Sequence, residues 1–229
     1  MTTIDTTIAD QVAVLRRNAA GRLPAAVAAV FGAELTRLDA AGVPLGIAAV
    51  GTAMPDRALL NVQGQPTTLV KVRGGKPAVV VFYRGAWCPY CNLTLRTYQQ
   101  TLVPELDGCG VALIAISPQK PDGSLSMQEK HALTYRVVSD PGNQIAGQLG
   151  ILTAPGEEVR QTQVAHGLDL TAINADGTSA IPMPTVVIVD GAGTIRWIDV
   201  HPNYTTRSEP GEILDALAAT IGQKVVCMA

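Results

Sequence analysis

Residues 79–91 read Val79-Val80-Val81-Phe82-Tyr83-Arg84-Gly85-Ala86-Trp87-Cys88-Pro89-Tyr90-Cys91. An unbroken apolar run leads into a short loop that ends on two cysteines three positions apart. The run shows no alternation, so it reads as a strand covered on both faces, as in the centre of an α/β sheet. A helical pattern starts at once: Cys91, Leu95, Tyr98, Leu102 and Leu106 share one face at spacings of three and four. Cys88 therefore belongs at a helix N-terminus, where free N–H groups and the helix dipole favour an anion. Pro89 suits the first helical turn. A thiol so placed ionises more easily, and the thiolate is the nucleophile.

Residues i and i+3 of a helix are neighbours, so the Cys91 sulfur can reach that of Cys88. The expectation is an accessible, attacking Cys88 and a more buried, resolving Cys91 that closes a Cys88–Cys91 disulfide. Half of a zinc site is the other reading of a CxxC pair. It needs a second pair of ligands. Cys109 and Cys227 are isolated, and His131, His166 and His201 have no metal-like spacing. Redox chemistry is the reading adopted, without a metal or other cofactor.

Around this motif the chain is long enough, at 229 residues with 47% apolar, for one good-sized α/β domain with an appendage. A net charge of −2 gives no general attraction to nucleic acid or anionic membrane. The apolar runs are too short or too interrupted by charge for a membrane span. Met1 to Asn18 lacks a basic segment followed by an apolar block, so no secretory signal is expected. Four cysteines in this length are not a disulfide framework; a CxxC without a signal implies a cycling disulfide in the cytoplasm.

Residues 1–44 read as an N-terminal helical extension, split by Gly21 and Pro24 into two helices packed on the domain or on a second subunit. The domain proper is expected over 45–222, with a short tail at 223–229. Gly46 to Lys76 is turn-rich and weakly stranded. Cys109 to Ser117 reads as a second buried strand, opened by a core Cys109, which completes a right-handed βαβ unit. A helix is expected over Asp122 to Leu133, a strand from Tyr135, and a short helix over Asn143 to Leu149. Residues 153–181 suggest an excursion with a hairpin around Asp176-Gly177. Two strands, from Pro184 and from Thr194, flank a Gly191-Ala192-Gly193 turn, and an amphipathic helix follows from Pro210 to Ile221.

This order resembles a thioredoxin-like fold, a central mixed sheet flanked by helices. Trp87-Cys88-Pro89-Tyr90-Cys91 joins the Trp-Cys opening of thioredoxins to the CPYC motif of glutaredoxins. Met183-Pro184-Thr185 is similar to the cis-proline segment of that superfamily, which implies a cis Pro184 facing the disulfide. Gly51 to Asp56, residues 82–91, the strand after Pro184 and the segment from His201 to Leu214 together resemble peroxiredoxin-like proteins of the alkyl hydroperoxide reductase / thiol-specific antioxidant superfamily, over roughly residues 45 to 220. The resemblance implies a peroxidase. Cys88 attacks the O–O bond and becomes a sulfenic acid, Cys91 condenses with it, and a thioredoxin- or glutaredoxin-like thiol donor resets the disulfide. Arg84, Trp87, Pro184 and Thr185 are candidates for activating or substrate-contacting roles, with a surface arginine at a strand end as the other reading of Arg84 and a packing lid over the loop as that of Trp87; Arg207 is a weaker candidate, and the resemblance allows for a homodimer. Typical members carry a hydroxyl three residues before the peroxidatic cysteine; Gly85 stands there. The CPYC pair and Pro184 equally suit a second function, a thioredoxin- or glutaredoxin-like oxidoreductase acting on protein disulfides.

Overall fold

The computed structural model describes residues 6–121 and 132–221. Nine strands and nine helices are assigned among them. β3 (Ala78–Phe82) pairs in parallel with β4 (Ala112–Ser117), which pairs in parallel with β5 (Arg136–Ser139). On the other side of β3, β8 (Thr185–Val189) runs antiparallel and carries antiparallel β9 (Ile195–Val200) at the edge. β1 (Ala58–Leu60) and β2 (Pro66–Thr68) extend the far side in antiparallel fashion. The seven-stranded order is β2-β1-β5-β4-β3-β8-β9, a mixed sheet with β3 and β4 near its centre. β6 (Leu152–Thr153) and β7 (Ile181–Pro182) form a separate two-stranded ribbon.

The absence of alternation in the 79–83 run has the expected cause. Val79 and Val81 point into one core, while Ala78, Val80 and Phe82 point into another on the opposite face. β4 divides the same way, with Leu113 and Ala115 on one side and Ile114 and Ile116 on the other. Both faces of the pleat are dry, so neither can be polar.

The first core is covered by α4 (Pro89–Thr101), α5 (Val103–Gly108), α9 (Pro210–Ile221) and the start of α1 (Ile8–Ala20). Cys91, Leu95, Tyr98, Leu102 and Leu106 are all buried there, which is the helical face read from the sequence. The second core lies under α3 (Leu69–Arg73) and α6 (Gln144–Gln148). Two further helices, α7 (Glu157–Ala165) and α8 (Leu170–Ile173), fill the interval before β7.

The N-terminal helices divide as expected, with α2 running from Ala25 to Ala41. They pack on the body. Ile8 and Val12 of α1 enter the first core. The Glu209 carboxylate accepts from the Ile8 and Ala9 N–H groups at 2.9 Å each, satisfying two donors that a helix start leaves open. Asn203 donates to Asp39 of α2 at 2.8 Å.

Several expectations are corrected. Asp176-Gly177 makes a turn, but no hairpin follows: β7 pairs with β6 instead, because the excursion is occupied by α7 and α8. β4 begins at Ala112, so Cys109 precedes it as the cap of α5; it is half-buried and disulfide-bonded rather than a plain core thiol. Pro184 is trans, since no cis peptide bond occurs among the described residues. Most of the Asp122 to Leu133 helix, His131, Cys227 and the tail at 223–229 lie outside the described residues.

Candidate active site

The dithiol sits where the end of β3 turns into α4. Cys88 is the N-cap, extended at φ −86° and ψ 112°, and Pro89 occupies the first helical position. The loop between them is held from two sides. Gln119, just after β4, accepts from the Ala86 N–H at 2.7 Å, and the Asn92 amide donates to the Ala86 carbonyl at 3.0 Å. Gly85 has φ +148°, and a Cβ there would lie 2.4 Å from Trp87 Nε1. That is why glycine, and not a hydroxyl residue, stands at this position: the indole fills the space.

Cys88 and Cys91 are free thiols hydrogen-bonded to each other. Against the expectation of an accessible Cys88 and a more buried Cys91, both residues are buried, Cys88 at 0% and Cys91 at 1% exposure. The cations surround the pair. Arg207 Nη2 donates to Cys91 Sγ at 3.3 Å, and its Nη1 donates to the Tyr204 carbonyl at 2.7 Å. Arg84 is buried, not a surface residue at a strand end, with its guanidinium 4.0 Å from the Tyr204 ring centre and 4.9 Å from that of Trp87. Both arginines face the two sulfurs as charges.

Electrostatics divides the two thiols. Burial pushes Cys88 up, and the hydrogen bond and charge of Cys91 push it further, against the pull of Arg84 and Arg207. Burial also opposes ionisation of Cys91. There the hydrogen bond from Cys88, the Arg207 charge and the Arg84 backbone outweigh it, and Cys91 lies well below the ordinary thiol range. The two thiols titrate as a pair, and Cys91 is the one whose ionised form the surroundings favour. The order of ionisation is the reverse of that expected from a lone helix N-terminus, because the guanidinium of Arg207 lies beside the second sulfur.

Trp87 lies beside Arg84 and lines the chamber over Cys88. Pro184 and Thr185 border the same small gap as Cys91, together with Arg207, His201 and Ser208. The Thr185 hydroxyl is spent on the Met183 carbonyl at 2.9 Å, so it offers no free donor. Gln119 and Glu34 carry no local signal in the sequence, and Tyr204 is marked only as part of the His201 to Leu214 segment; the three come from distant segments. Arg207 likewise reaches Cys91 only through the fold.

A chamber of about 480 Å³ opens over Cys88. Its floor is Arg84, Trp87, Cys88, Pro89, Tyr90 and Tyr204; its walls come from α1, α2 and the α7 region. Among the described residues no group of His, Cys, Asp and Glu could hold a metal, and no helix is long and apolar enough to cross a membrane.

The sequence profile of the AhpC/TSA family matches residues 50–198. A bcp protein of Haemophilus influenzae is 34% identical over 44% of this chain and 64% of its own length. Chloroplastic peroxiredoxin Q of Triticum aestivum is 27% identical over 62% of this chain and 66% of its own. The chain thus spans less than two thirds of either relative. Solved structures of similar fold include reduced Prx3 of Vibrio vulnificus in complex with H2O2, with TM-score 0.60 and 18% identity over 75% of this chain and 99% of that one. Peroxidoxin BcpB of Mycobacterium tuberculosis gives TM-score 0.56 and 19% identity over 74% of this chain and 96% of that one. The architecture around the dithiol is a thioredoxin fold, and with the profile matched over well more than half its length, the chain belongs to the AhpC/TSA family.

Proposed function

We propose that the protein is a thiol peroxidase that reduces hydrogen peroxide or organic hydroperoxides through Cys88 and Cys91. The observation that carries this reading is a hydrogen-bonded dithiol beside two arginines, the buried Arg84 and the half-buried Arg207. Relatives named peroxiredoxins support it. At rest Cys91 is the thiolate and Cys88 the thiol. Passing the Cys88 proton along their hydrogen bond makes Cys88, which borders the chamber, the nucleophile. Its sulfur attacks one peroxide oxygen; an S–O bond forms, the O–O bond breaks, and the departing alkoxide takes the proton from Cys91. Arg84 and Arg207 face the charge as it moves, as electrostatic catalysis requires. Cys91 thiolate then displaces hydroxide from the Cys88 sulfenic acid, and hydroxide takes a proton from solvent. In sum the singly ionised dithiol, ROOH and one proton give disulfide, ROH and water. A thioredoxin- or glutaredoxin-like dithiol returns two electrons. The reading includes a cytoplasmic setting and allows for a homodimer.

The second reading, a thioredoxin- or glutaredoxin-like oxidoreductase, draws on the CPYC pair and on Pro184 beside Cys91. Against it stands the placement of Cys88 at the floor of a chamber of small-molecule size, which suits a peroxide better than the disulfide of a folded protein. The experiment mixes reduced protein with hydrogen peroxide, cumene hydroperoxide or a protein disulfide and follows thiol loss. Rapid loss with a peroxide and a sulfenic acid trapped on Cys88 in Cys91→Ser are expected. Loss with disulfide alone overturns the peroxidase. A sulfenic acid on Cys91 in Cys88→Ser, with none on Cys88 in Cys91→Ser, reverses the two roles.

A further inference from the structure

The chamber over Cys88 is far larger than the smallest peroxide needs. A water-sized molecule takes about 30 Å³, against about 480 Å³ here. Sites for small organic ligands run from about 300 to 1,000 Å³ and are mostly apolar, with few polar groups. The chamber fits that description. Leu15 comes from α1, Leu23 from the turn after it, and Phe31 and Leu35 from α2; Leu168 adds one more apolar side chain. Asn18 and Arg22 are exposed polar residues among the lining. The reactive end is polar and the opposite walls are greasy.

Apart from Leu168, these apolar walls lie in residues 8–41, outside the 50–198 match to the AhpC/TSA family. They are fixed to the site. Ile8 and Val12 are embedded in the same core as Cys88 and Cys91. Glu34 of α2 is buried, and its charge acts on Tyr204, the ring that backs Arg84. The extension is therefore continuous with the reacting centre, not an appendage remote from it.

We propose that the N-terminal helices are the specificity-determining wall of the active site. Leu15, Phe31 and Leu35 hold the apolar group of an organic hydroperoxide, ROOH, while its O–OH end meets Cys88. The inference rests on the peroxidase reading and uses the same balanced step, with ROH as the alcohol released. Burying the R group against these side chains favours a bulky apolar peroxide over hydrogen peroxide, which leaves most of the chamber to water.

The test compares kcat/KM for cumene hydroperoxide and for hydrogen peroxide in the full chain, with a dithiol as reductant. Two variants alter the chamber in opposite ways: Phe31→Ala removes a wall, and Ala19→Phe fills the space from α1. Each is expected to lower the cumene-to-hydrogen peroxide ratio by about tenfold, the order set by one apolar contact in a pocket. Leu45→Ser, at an exposed leucine that does not line the chamber, should leave the ratio alone. A readout apart from chemistry on the bulky peroxide is inhibition of hydrogen peroxide turnover by 2-phenyl-2-propanol, which should weaken about tenfold in Phe31→Ala. Circular dichroism confirms that each variant is folded. An unchanged ratio in both folded variants, or no inhibition of the wild type by the alcohol, overturns the inference while leaving the peroxidase intact. Failure of both peroxides to oxidise the dithiol overturns the peroxidase reading itself.

Discussion

Gly85 is held at φ +148° with no room for a Cβ beside the Trp87 indole. Gly85→Ala therefore combines backbone strain with displacement of Trp87 and should cost about 1–3 kcal/mol; denaturant unfolding measures it, and a loss below experimental error would contradict the geometry. Arg207 makes a second residue-scale case. Its guanidinium favours the thiolate form of Cys91. In Arg207→Gln the thiol range moves up, so absorbance at 240 nm from thiolate at neutral pH should fall relative to the wild type. The same substitution acts on the redox poise. A cation that stabilises the thiolate stabilises the reduced form and makes the disulfide a better oxidant. Equilibration with glutathione buffers should find the Arg207→Gln disulfide harder to reduce.

At the scale of elements, the segment between β9 and α9 places Arg207, and it is tied down by a small polar cluster. Asp199 accepts from His201 at 2.9 Å and from the Ser208 hydroxyl at 2.7 Å. Its carboxyl is held below the usual range, chiefly by the His201 hydrogen bond, with burial opposing and Ser208 assisting. A carboxyl depressed in the folded state adds stability that is fully present above its unfolded value of about 3.9 and disappears as pH falls through the lower folded value. The stability difference between wild type and Asp199→Asn should accordingly be constant at neutral pH and shrink below about pH 4. Denaturant titrations at a series of pH values read it; a difference that grows toward acid would contradict the assignment. The strand β3 and helix α4 need no such cluster. Their register follows from two apolar faces and one helical stripe, as residues 79–91 and the Leu95, Tyr98, Leu102 spacing indicated.

For the whole molecule, the question is whether the N-terminal helices and the sheet are one cooperative unit. Ile8, at 1% exposure, shares a core with Tyr98 and Ile213, and the α1 start is capped by Glu209 from more than two hundred residues away. Thermal unfolding followed by a probe on α1 and by near-ultraviolet dichroism should therefore coincide in a single transition. An earlier transition confined to α1 and α2 would mean that the chamber wall comes and goes independently of the active site.

By itself the sequence determined what depends on nearest neighbours and periodicity. It held the buried strand, the helix that begins on a cysteine pair, the two helices split by Gly21 and Pro24, the final strand pair and the family to which the central segment belongs. Those are local properties, carried by side chains a few positions apart. Tertiary structure alone decided which thiol is favoured to ionise, because that depends on Arg207, 116 positions from Cys91. It decided that Cys88 is covered, that Pro184 is trans, and that the excursion after residue 153 yields helices and a ribbon rather than a hairpin at Asp176-Gly177. It also built the chamber, since α1 and α2 acquire a role only when packing sets their apolar sides opposite Trp87 and Cys88. Coulomb forces and exclusion of water act between groups that are close in space, and the chain order does not record that closeness.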